Sequence, residues 1–545
     1  MSSLLKRKLI IKTLAAKFVS FNFVSKKSIK LWASWKGKNM SINFINAMDN
    51  MSAQKMTENG QPALNTTMSK CLDLFAIIGS IRDRDEKDVY RHLTMAWDEN
   101  PELTLKTIFY ARDIEAGLGE RKVFRTCLRW LASCHPEVVI KNFDSIAFFG
   151  RYDDFYALEG TPCEDAMFAY LKGVFQKDCQ NFKSKQPISL LAKWLKSTNT
   201  SSAESRRLGE KTAKAFGLTI PSYRKILSAL RKYSNVLEPV ISANKWSEVN
   251  YNTVPGNAMF KYTSAFHRHD ETRFTEYISA VREGKKNVAP DGQEVDAKIN
   301  TGHLFPYEIV GRYFRRSTSW VRHFTVKPDL EAMWQGLNNY IPQDANSNTI
   351  VVADTSGSME GQPLNIALSL AIYFAERNTG AYHNKMMVFS NRAKWITLPE
   401  NASLAEKLNV IPEEVANTNM EAVFDLILQT AVMNHLSQED MPKNLIIITD
   451  MEFDQAANYN GTFDTFYNMM KKKFEMMGYQ LPNIVFWNAD ARQDTFHATE
   501  NIPYVQMVSG KASTVFADLL QGKVHTPYEL MVEVLSKPRY DKISL

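Results

Sequence analysis

The sequence predicts a multidomain protein of the α plus α/β class, with a helical region followed by a doubly wound parallel sheet. Apolar residues recur at spacings of three and four over residues 60–342, which is typical of amphipathic helices. Over residues 346–525, short continuous apolar runs alternate with amphipathic segments, which is typical of buried parallel strands and their crossover helices. The polar stretch PQDANSN, residues 342–348, is the expected linker.

The helical region contains many segments of similar length separated by glycine and proline. In SYRKILSALRKYSNVLEPVI, residues 222–241, we expect Ile226, Leu230, Tyr233 and Leu237 to share one apolar face. Short turns between helices of similar length favour a helical array.

The second region begins with a strand and then alternates. The predicted strands are NTIVVAD, KMMVFS, NLIIITD and NIVFWNA. The predicted helices are PLNIALSLAIYFAERN, EAVFDLILQTAVMNHL, FDTFYNMMKKKFEMMGY and SGKASTVFADLLQG. Residues 526–545 are expected to be a C-terminal tail.

Charge is distributed unevenly along the 545 residues. The net charge is +7, but residues 1–39 contain ten Lys or Arg and no Asp or Glu, which leaves −3 for the remainder. This basic leader is compatible with an organelle presequence, a disordered or amphipathic basic arm, or extra residues from an upstream start.

Five cysteines without a CxxC pair argue against a disulfide framework and favour a reducing, cytoplasmic setting. We expect a monomer with no membrane association.

The stretch VVADTSGSMEG, residues 351–361, predicts a ligand site at the carboxyl edge of the sheet. Asp354 ends one apolar strand and Asp450 ends another, so their carboxylates would repel each other unless a cation bound between them. Ser356 and Ser358 alternate with Asp354 and add hydroxyl oxygens. An all-oxygen set suits a hard divalent cation such as Mg²⁺, Mn²⁺ or Ca²⁺, with Mg²⁺ the first expectation.

The loop does not match three common motifs for nucleotide binding or catalysis. A phosphate loop needs GxxxxGK[ST], a dinucleotide site needs GxGxxG, and a nucleophile elbow needs GxSxG. None of these patterns is present in the loop. A capped turn between strand and helix would explain the serines and glycines but not the second strand-end aspartate.

The segment DTSGSM resembles the metal-ion-dependent adhesion site of von Willebrand factor A domains. That family also has a threonine before a helix and an aspartate after a later strand, matched by Thr418 in NTNMEAVFD and Asp450 in IIITDMEFD. The resemblance implies that the ion is held by Asp354, Ser356, Ser358 and Thr418, with Asp450 in support. It also implies an open coordination position for an acidic group of a partner, and no catalysis. The family's usual Asp-Gly is replaced by Asp450–Met451, and Glu452 or Asp454 is a further candidate contact.

Basic residues concentrate in residues 193–232, where ten Lys or Arg face two Glu. They are Lys193, Lys196, Arg206, Arg207, Lys211, Lys214, Arg224, Lys225, Arg231 and Lys232. A second group in GRYFRRSTSWVRHF interleaves Arg312, Arg315 and Arg316 with aromatic residues, and His267 and Arg268 form a third. Such clusters are typical of phosphate-binding surfaces, and aromatic planes beside guanidinium groups suit unstacked bases. The alternative is a solvated helix face with aromatic residues in the core.

The helical region resembles the TROVE module of Ro-like proteins. Four segments carry the resemblance: ARDIEAGLGERKVFR, GRYDDFYAL, residues 222–259, and HLFPYEIV. TROVE followed by a von Willebrand A domain is the layout of the Ro autoantigen family, and the resemblance is nearest to its uncharacterised bacterial, viral and plant branch. One departure is Glu115–Ala116, where Ro-like chains often have Arg and Gly.

The resemblance implies a ring of HEAT-like helical repeats that binds misfolded or structured non-coding RNA and has no enzymatic activity. The alternative function is a protein-interaction scaffold whose metal site binds an acidic group of a partner. A nuclease is disfavoured, because two-metal nucleases need several carboxylates converging on ions roughly 3.5–4 Å apart.

Overall fold

A computed structural model describes residues 48–49, 51–315, 323–342, 348–412, 417–456, 465–520 and 525–545. The chain divides into two compact units, Met1–Ala53 and Gln54–Leu545. Residues 1–39, the expected basic leader, lie outside the described residues, as does most of the expected linker. The helices and strands named below belong to the unit Gln54–Leu545.

The first part of this unit is helical, as predicted. Its helices are α1 Lys70–Ile77, α2 Glu86–Glu99, α3 Pro101–Arg112, α4 Arg121–Cys134, α5 Pro136–Lys141, α6 Phe143–Phe149, α7 Glu164–Lys183, α8 Leu191–Trp194, α9 Ala203–Phe216, α10 Ile220–Tyr233, α11 Leu237–Ser242, α12 Gly256–His269, α13 Glu271–Glu283, α14 Pro306–Phe314 and α15 Pro328–Gln335. Their starts follow ordinary capping chemistry. Asn100 accepts a hydrogen bond from the Leu103 amide, and Pro101 occupies the first helical position.

The expected apolar face of residues 222–241 is wrong in part. Helix α10 ends at Tyr233, and Asn235 takes a left-handed φ of 51°, so the helix does not continue to Leu237. The buried residues of α10 are Tyr223, Leu227 and Leu230, whereas Tyr233 is exposed. The hydrophobic spacing therefore indicated a helix correctly and placed Leu230 on its buried face, but it missed Tyr223 and Leu227.

The second part is a six-stranded, mainly parallel sheet. Two short hairpins in the first part contain β1 Gln54–Met56, β2 Pro62–Leu64, β3 Lys286–Val288 and β4 Glu294–Asp296, and the sheet contains β5 Thr349–Asp354, β6 Lys385–Phe389, β7 Ala393–Thr397, β8 Asn444–Thr449, β9 Asn483–Asn488 and β10 Val505–Ser509. The strand order is β10-β9-β8-β5-β6-β7, and β7 is the antiparallel strand at one edge. Strand β5 is buried along its whole length, as expected of a central parallel strand.

The helices that connect these strands complete the α/β layout. They are α16 Gln362–Arg377, α17 Leu404–Asn409, α18 Glu421–Met433, α19 Phe466–Met476, α20 Phe516–Leu519 and α21 Pro527–Leu535. The sequence of a helical region followed by a parallel sheet is therefore confirmed. Among the described helices, none is long and apolar enough to cross a bilayer.

The helical part and the sheet part are packed directly against each other. The amide of Gly79, just after α1, donates to the Ser509 hydroxyl at the end of β10, at 2.9 Å. A β-carbon at Gly79 would lie 2.7 Å from the Ser509 backbone, so the close approach requires glycine. Buried Arg82 extends the contact by donating to the Ala489 carbonyl and pairing with Glu120.

Residues 526–545, the segment expected to be a tail, pack against the first helices. The ring of Tyr540 is fully buried and stacks on Phe149, with centroids 5.5 Å apart. Arg539 forms an ion pair with buried Asp113. The end of the chain therefore belongs to the core of the helical part.

Candidate metal centre and basic surface

The two strand-end aspartates meet at the carboxyl edge of the sheet because β5 and β8 are neighbouring parallel strands. The Asp354 side chain is fully buried, and its Oδ2 accepts a hydrogen bond from the Thr449 hydroxyl at 2.7 Å. Burial and the nearby charge of Asp450 raise the pKa of Asp354 to about 7. A cation bound here would relieve both effects.

The two loop serines lie beside Asp354. The Ser356 amide donates to Asp354 Oδ1 at 2.9 Å, and the hydroxyls of Ser356 and Ser358 are 3.2 Å apart. A buried carboxylate with two converging hydroxyls is an oxygen-rich environment of the kind that hard divalent cations occupy.

The loop that contains Thr418 is tied to the same edge of the sheet. The Asn419 amide donates to the carbonyl of Ser390, which directly follows β6, and the Asp454 amide donates to the Thr418 carbonyl. The Thr418 hydroxyl makes no hydrogen bond within the described part of the chain, so it is available to a ligand. The Ser390 hydroxyl, buried and without a partner among those same residues, is a candidate contact that the sequence did not reveal.

Asp450 already has a cationic neighbour. Its Oδ2 pairs with a guanidinium nitrogen of Arg492, and its Oδ1 accepts the Glu452 amide at 3.2 Å. Sequence reasoning missed Arg492, which follows β9 and has no periodic or motif signal. Its presence fits the supporting role implied for Asp450, because a carboxylate held by an arginine is less free to bind an ion directly.

Met451 stands where the Asp-Gly pattern of von Willebrand A domains has glycine, and its backbone is strained. Met451 takes a left-handed φ of 70°, a conformation that glycine adopts far more readily. Glu452 is fully engaged by the protein, since it accepts the Glu58 amide at 2.7 Å and the Thr495 hydroxyl. Glu452 is therefore a structural anchor of this loop and is not free to contact an ion.

A polar cleft of about 470 Å³ opens next to Thr418. Its lining residues are Asn59, Asn391, Asn417, Asn419, Glu421, Asp454 and Gln455. The amide groups can both donate and accept hydrogen bonds, so the cleft suits a polar ligand of mixed hydrogen-bonding character.

Asp88, His92 and Asp494 form another group with metal-ligand chemistry, and no further such group lies in the described part of the chain. His92 Nε2 lies 3.0 Å from Asp494 Oδ1, and Arg84 donates to both carboxylates. Because Arg84 and Arg91 already neutralise these aspartates, the arrangement is better explained as an ion-pair cluster joining α2 to the loop after β9.

Part of the predicted basic surface is occupied by contacts within the protein. Arg207 and Lys211 pair with Glu159. Arg206 donates to the carbonyls of Thr200 and Ser201. Arg231 donates to the carbonyls of Ala192 and Leu195 and to the Ser197 hydroxyl, so it stabilises the loop around α8.

The remaining members of the basic segment are available. Lys214, Arg224, Lys225 and Lys232 are exposed and make no ion pair to any described residue. Lys193 and Lys196 are half-buried, and their ammonium groups lie over the rings of Trp194 and Tyr156. The exposed cations lie on α9 and α10, which places a positive surface on these two helices.

The other predicted RNA contacts are scattered. Arg312 donates to the Phe260 carbonyl and covers its ring at 4.2 Å, whereas Arg315 is exposed. Arg316 lies outside the described residues. His267 and Arg268 are exposed in the last turn of α12, separate in sequence from α9 and α10.

Two family models match this chain, and their boundary agrees with the boundary of the fold. A domain of unknown function, DUF2828, matches residues 57–160 and 166–319, and another, DUF7788, matches residues 348–538. A similar protein, "Uncharacterized protein L728" of Acanthamoeba polyphaga mimivirus, is 28% identical over 528 residues, covering 89% of this chain and 88% of the relative. Neither the models nor the relative's name states an activity. The similarity therefore extends over both parts of the fold and assigns no chemistry to them.

Proposed function

We propose that this chain is a non-catalytic, Ro-like RNA-binding protein. Under this proposal the helical part is a TROVE-like array of HEAT-like repeats, and the sheet part is a von Willebrand A domain with a metal-ion-dependent adhesion site. The ligand is a structured or misfolded non-coding RNA. The metal site is an accessory contact for an acidic group.

The observation that carries the proposal is the exposed positive surface of α9 and α10. Lys214, Arg224, Lys225 and Lys232 have no acidic partner among the described residues, although the chain beyond its leader is net acidic. A group of surface cations without local acidic neighbours creates a positive potential, which attracts an anionic ligand such as a phosphate backbone.

The test is binding to an RNA with a stem and a single-stranded 3′ end, measured at increasing KCl concentration. Each neutralised phosphate contributes about −0.7 to the log–log slope for single strands. Reversing the charge of Arg224, Lys225 and Lys232 to Glu should weaken binding to RNAs of different sequence alike. A matched variant with the exposed Lys87, Lys286 and Lys471 reversed should bind as the unmodified chain does. Binding that is absent, or insensitive to salt, rejects the proposal.

A second candidate, a protein-interaction scaffold, is favoured by the polar cleft beside Thr418 and the oxygen-rich edge at Asp354. The ion would bind a carboxylate of the partner while the cleft amides bind neighbouring polar groups. Salt-dependent RNA binding separates the two candidates, because capture of an acidic peptide library that needs Mg²⁺ and is lost in EDTA is expected under both. Asp354→Ala should abolish ion-dependent capture under the scaffold function and leave RNA affinity unchanged under either.

A further inference from the structure

Cationic side chains from three separate segments lie near one another beside the short helix α8. Arg121 and Arg125 lie in the first turns of α4, Arg151 precedes a short 3-10 helix at Tyr152–Leu158, and Lys193 and Lys196 flank Trp194. We call these five side chains the α4–α8 cluster. Three of them, Arg121, Arg125 and Arg151, lie outside the basic segment that the sequence singled out.

The nearby carboxylates do not balance this charge. Asp154 is fully buried and accepts three hydrogen bonds. The donors are Arg112 Nε at 2.8 Å, Arg125 Nε at 2.7 Å and the Arg151 amide at 3.0 Å. Asp153 accepts Nε and Nη2 of Arg151, each at 2.9 Å, and lies 2.8 Å from Arg125 Nη2. Both aspartates therefore accept hydrogen bonds mainly from arginines, and none of the remaining cations of the cluster has a carboxylate of the described residues within ion-pair distance.

Three head groups of the cluster are left over. Arg121, Lys193 and Lys196 make no hydrogen bond or ion pair through their side-chain nitrogens to any residue that the structure describes. Desolvation and then the charges of Arg151 and Arg125 lower the pKa of Arg121. Desolvation also lowers the pKa of Lys196; the charge of Asp153 opposes this effect, and the neighbouring arginines add to it. The cations thus repel one another, which a bound anion would reverse.

The cluster is held in place by contacts that do not use its free head groups. The Lys196 amide donates to the Tyr156 hydroxyl at 3.2 Å, and the Lys196 carbonyl accepts the Tyr223 hydroxyl at 2.9 Å. Arg231 fixes the same loop through three further hydrogen bonds. The Arg151 guanidinium lies 3.9 Å from the centre of the Trp194 ring. Donors fixed before binding lose little conformational entropy when a ligand arrives.

We propose that the α4–α8 cluster is a phosphate-binding site, with Arg121, Lys193 and Lys196 as the direct contacts and Arg151 and Arg125 as charged support. This assignment rests on the proposed function, under which the occupant of the site is one backbone phosphate of the bound RNA. Cations that approach from different segments suit the several oxygens of a phosphate better than the flat edge of one carboxylate.

The test compares three forms of the full chain. Arg121→Gln with Lys196→Gln removes two free cations that bond to nothing else in the described residues, Arg121→Lys with Lys196→Arg keeps the charge, and Lys286→Gln with Lys471→Gln removes equal charge from exposed sites elsewhere. Each form is titrated with a labelled single-stranded oligouridylate at several KCl concentrations. Each is also melted with and without inorganic phosphate, at constant ionic strength.

The first variant should bind the oligouridylate about tenfold more weakly at low salt, the equivalent of losing about one charged contact pair. Its log–log salt slope should be shallower by about 0.7, the contribution of one phosphate. It should also lose the stabilisation by inorganic phosphate. The charge-keeping variant and the distant control should keep the affinity, the slope and the stabilisation.

The outcomes separate this inference from the proposed function. RNA binding with unchanged affinity and slope in the first variant overturns the phosphate site and leaves the proposed function standing. Stabilisation by phosphate that the first variant loses, in a chain that binds no RNA, supports the site and rejects the proposed function. If the first variant does not fold, Lys196→Gln alone replaces it, because the Lys196 ammonium lies over the Tyr156 ring and makes no hydrogen bond or ion pair within the described residues.

Discussion

Asp354 and Asp450 are adjacent carboxylates with very different neighbours. Asp450 is paired with Arg492, whereas Asp354 accepts hydrogen bonds from Thr449 and Ser356 and has no cationic partner within the described residues. Two hydrogen bonds stabilise a buried carboxylate but do not offset the cost of its charge. The deficit of positive charge is thus localised on Asp354, and the neighbouring serine hydroxyls point to a divalent ion as the group that would offset it.

Asp354→Asn should abolish binding of Mg²⁺ while leaving the protein folded. Asparagine keeps an oxygen for the Ser356 amide and removes the repulsion with Asp450, so melting in EDTA should be unchanged or slightly higher. At Mg²⁺ of about one hundred times its Kd, the unmodified chain should gain about 2.7 kcal/mol that the variant lacks. Calorimetric titration and thermal melting measure the two effects. Ion binding by Asp354→Asn, or its loss in the exposed control Glu439→Gln, would contradict this assignment.

Arg492→Ala should destabilise the ion-free protein and make its stability depend more strongly on Mg²⁺. The change leaves the buried Asp450 carboxylate unpaired, and partial exposure of Arg492 reduces the cost to about 2 kcal/mol. Chemical denaturation in EDTA measures the loss of stability, and its comparison with denaturation in Mg²⁺ measures the dependence on the ion. The exposed Arg282→Ala is the matched control, and equal effects of the two substitutions would show that the Asp450 pair is unimportant.

Sequence reasoning identified some of these residues and missed others for a physical reason. Asp354, Ser356 and Ser358 lie in one short loop whose side-chain types and spacing already indicate oxygen ligation. Arg492 and Ser390 reach the same edge only because β9 and β6 run parallel to their neighbours. Their contribution depends on the three-dimensional arrangement of the loops, which no local pattern encodes.

At the scale of elements, buried strands were more predictable than edge strands. β5, β8 and β9 are continuous apolar runs, and all three were predicted. β7 is an antiparallel edge strand with Trp395 exposed, and β10 is a run of five residues that contains Gln506. Neither has the continuous apolar character of a strand covered on both faces, so the sequence pattern did not distinguish them from loops.

The C-terminal segment stabilises an element far away in the sequence. Tyr540 contacts Phe149 and Tyr110, and its hydroxyl donates to Asp113. Tyr540→Ala should therefore reduce the free energy of unfolding by about 3–5 kcal/mol, as for other fully buried aromatic residues. Urea denaturation measures the change. The exposed Tyr504→Ala should cost less than about 1 kcal/mol. A small effect at Tyr540 would mean that residues 526–545 are a dispensable tail.

At the scale of the whole molecule, the helical part and the sheet part share one core. α1 packs beside β10, β2 pairs with Phe496 through Leu64, and Glu120 links Arg82 to Lys511. Sequence patterns separate the two parts clearly at residues 342–348, because they report local periodicity and not packing between distant elements. The family models divide the chain near this boundary, one ending at residue 319 and the other beginning at residue 348. The shared core nevertheless predicts that the two parts unfold together.

Gly79→Ala tests this coupling at its narrowest point. A β-carbon there would meet the Ser509 and Gly510 backbone at 2.7–2.8 Å, and backbone atoms of a sheet strand cannot move aside cheaply. We expect a loss of about 1–3 kcal/mol from overpacking. Unfolding is followed by far-ultraviolet dichroism, which reports mainly helices, and by the fluorine resonance of a fluorotryptophan at Trp487 in β9. The unfolding midpoint should shift by the same amount in both measurements, because both parts belong to one cooperative unit.

Gly173→Ala is the matched control for that experiment. Gly173 lies inside α7 with nothing within 4 Å of its β-carbon position, so alanine should stabilise the helix by about 1 kcal/mol. A single core is supported if the unfolding midpoint falls in Gly79→Ala and rises in Gly173→Ala, by equal amounts in both measurements. Separate transitions for dichroism and the fluorine resonance, with Gly79→Ala moving only one of them, would show instead that the parts fold independently and that the α1–β10 contact is a docking interface between domains.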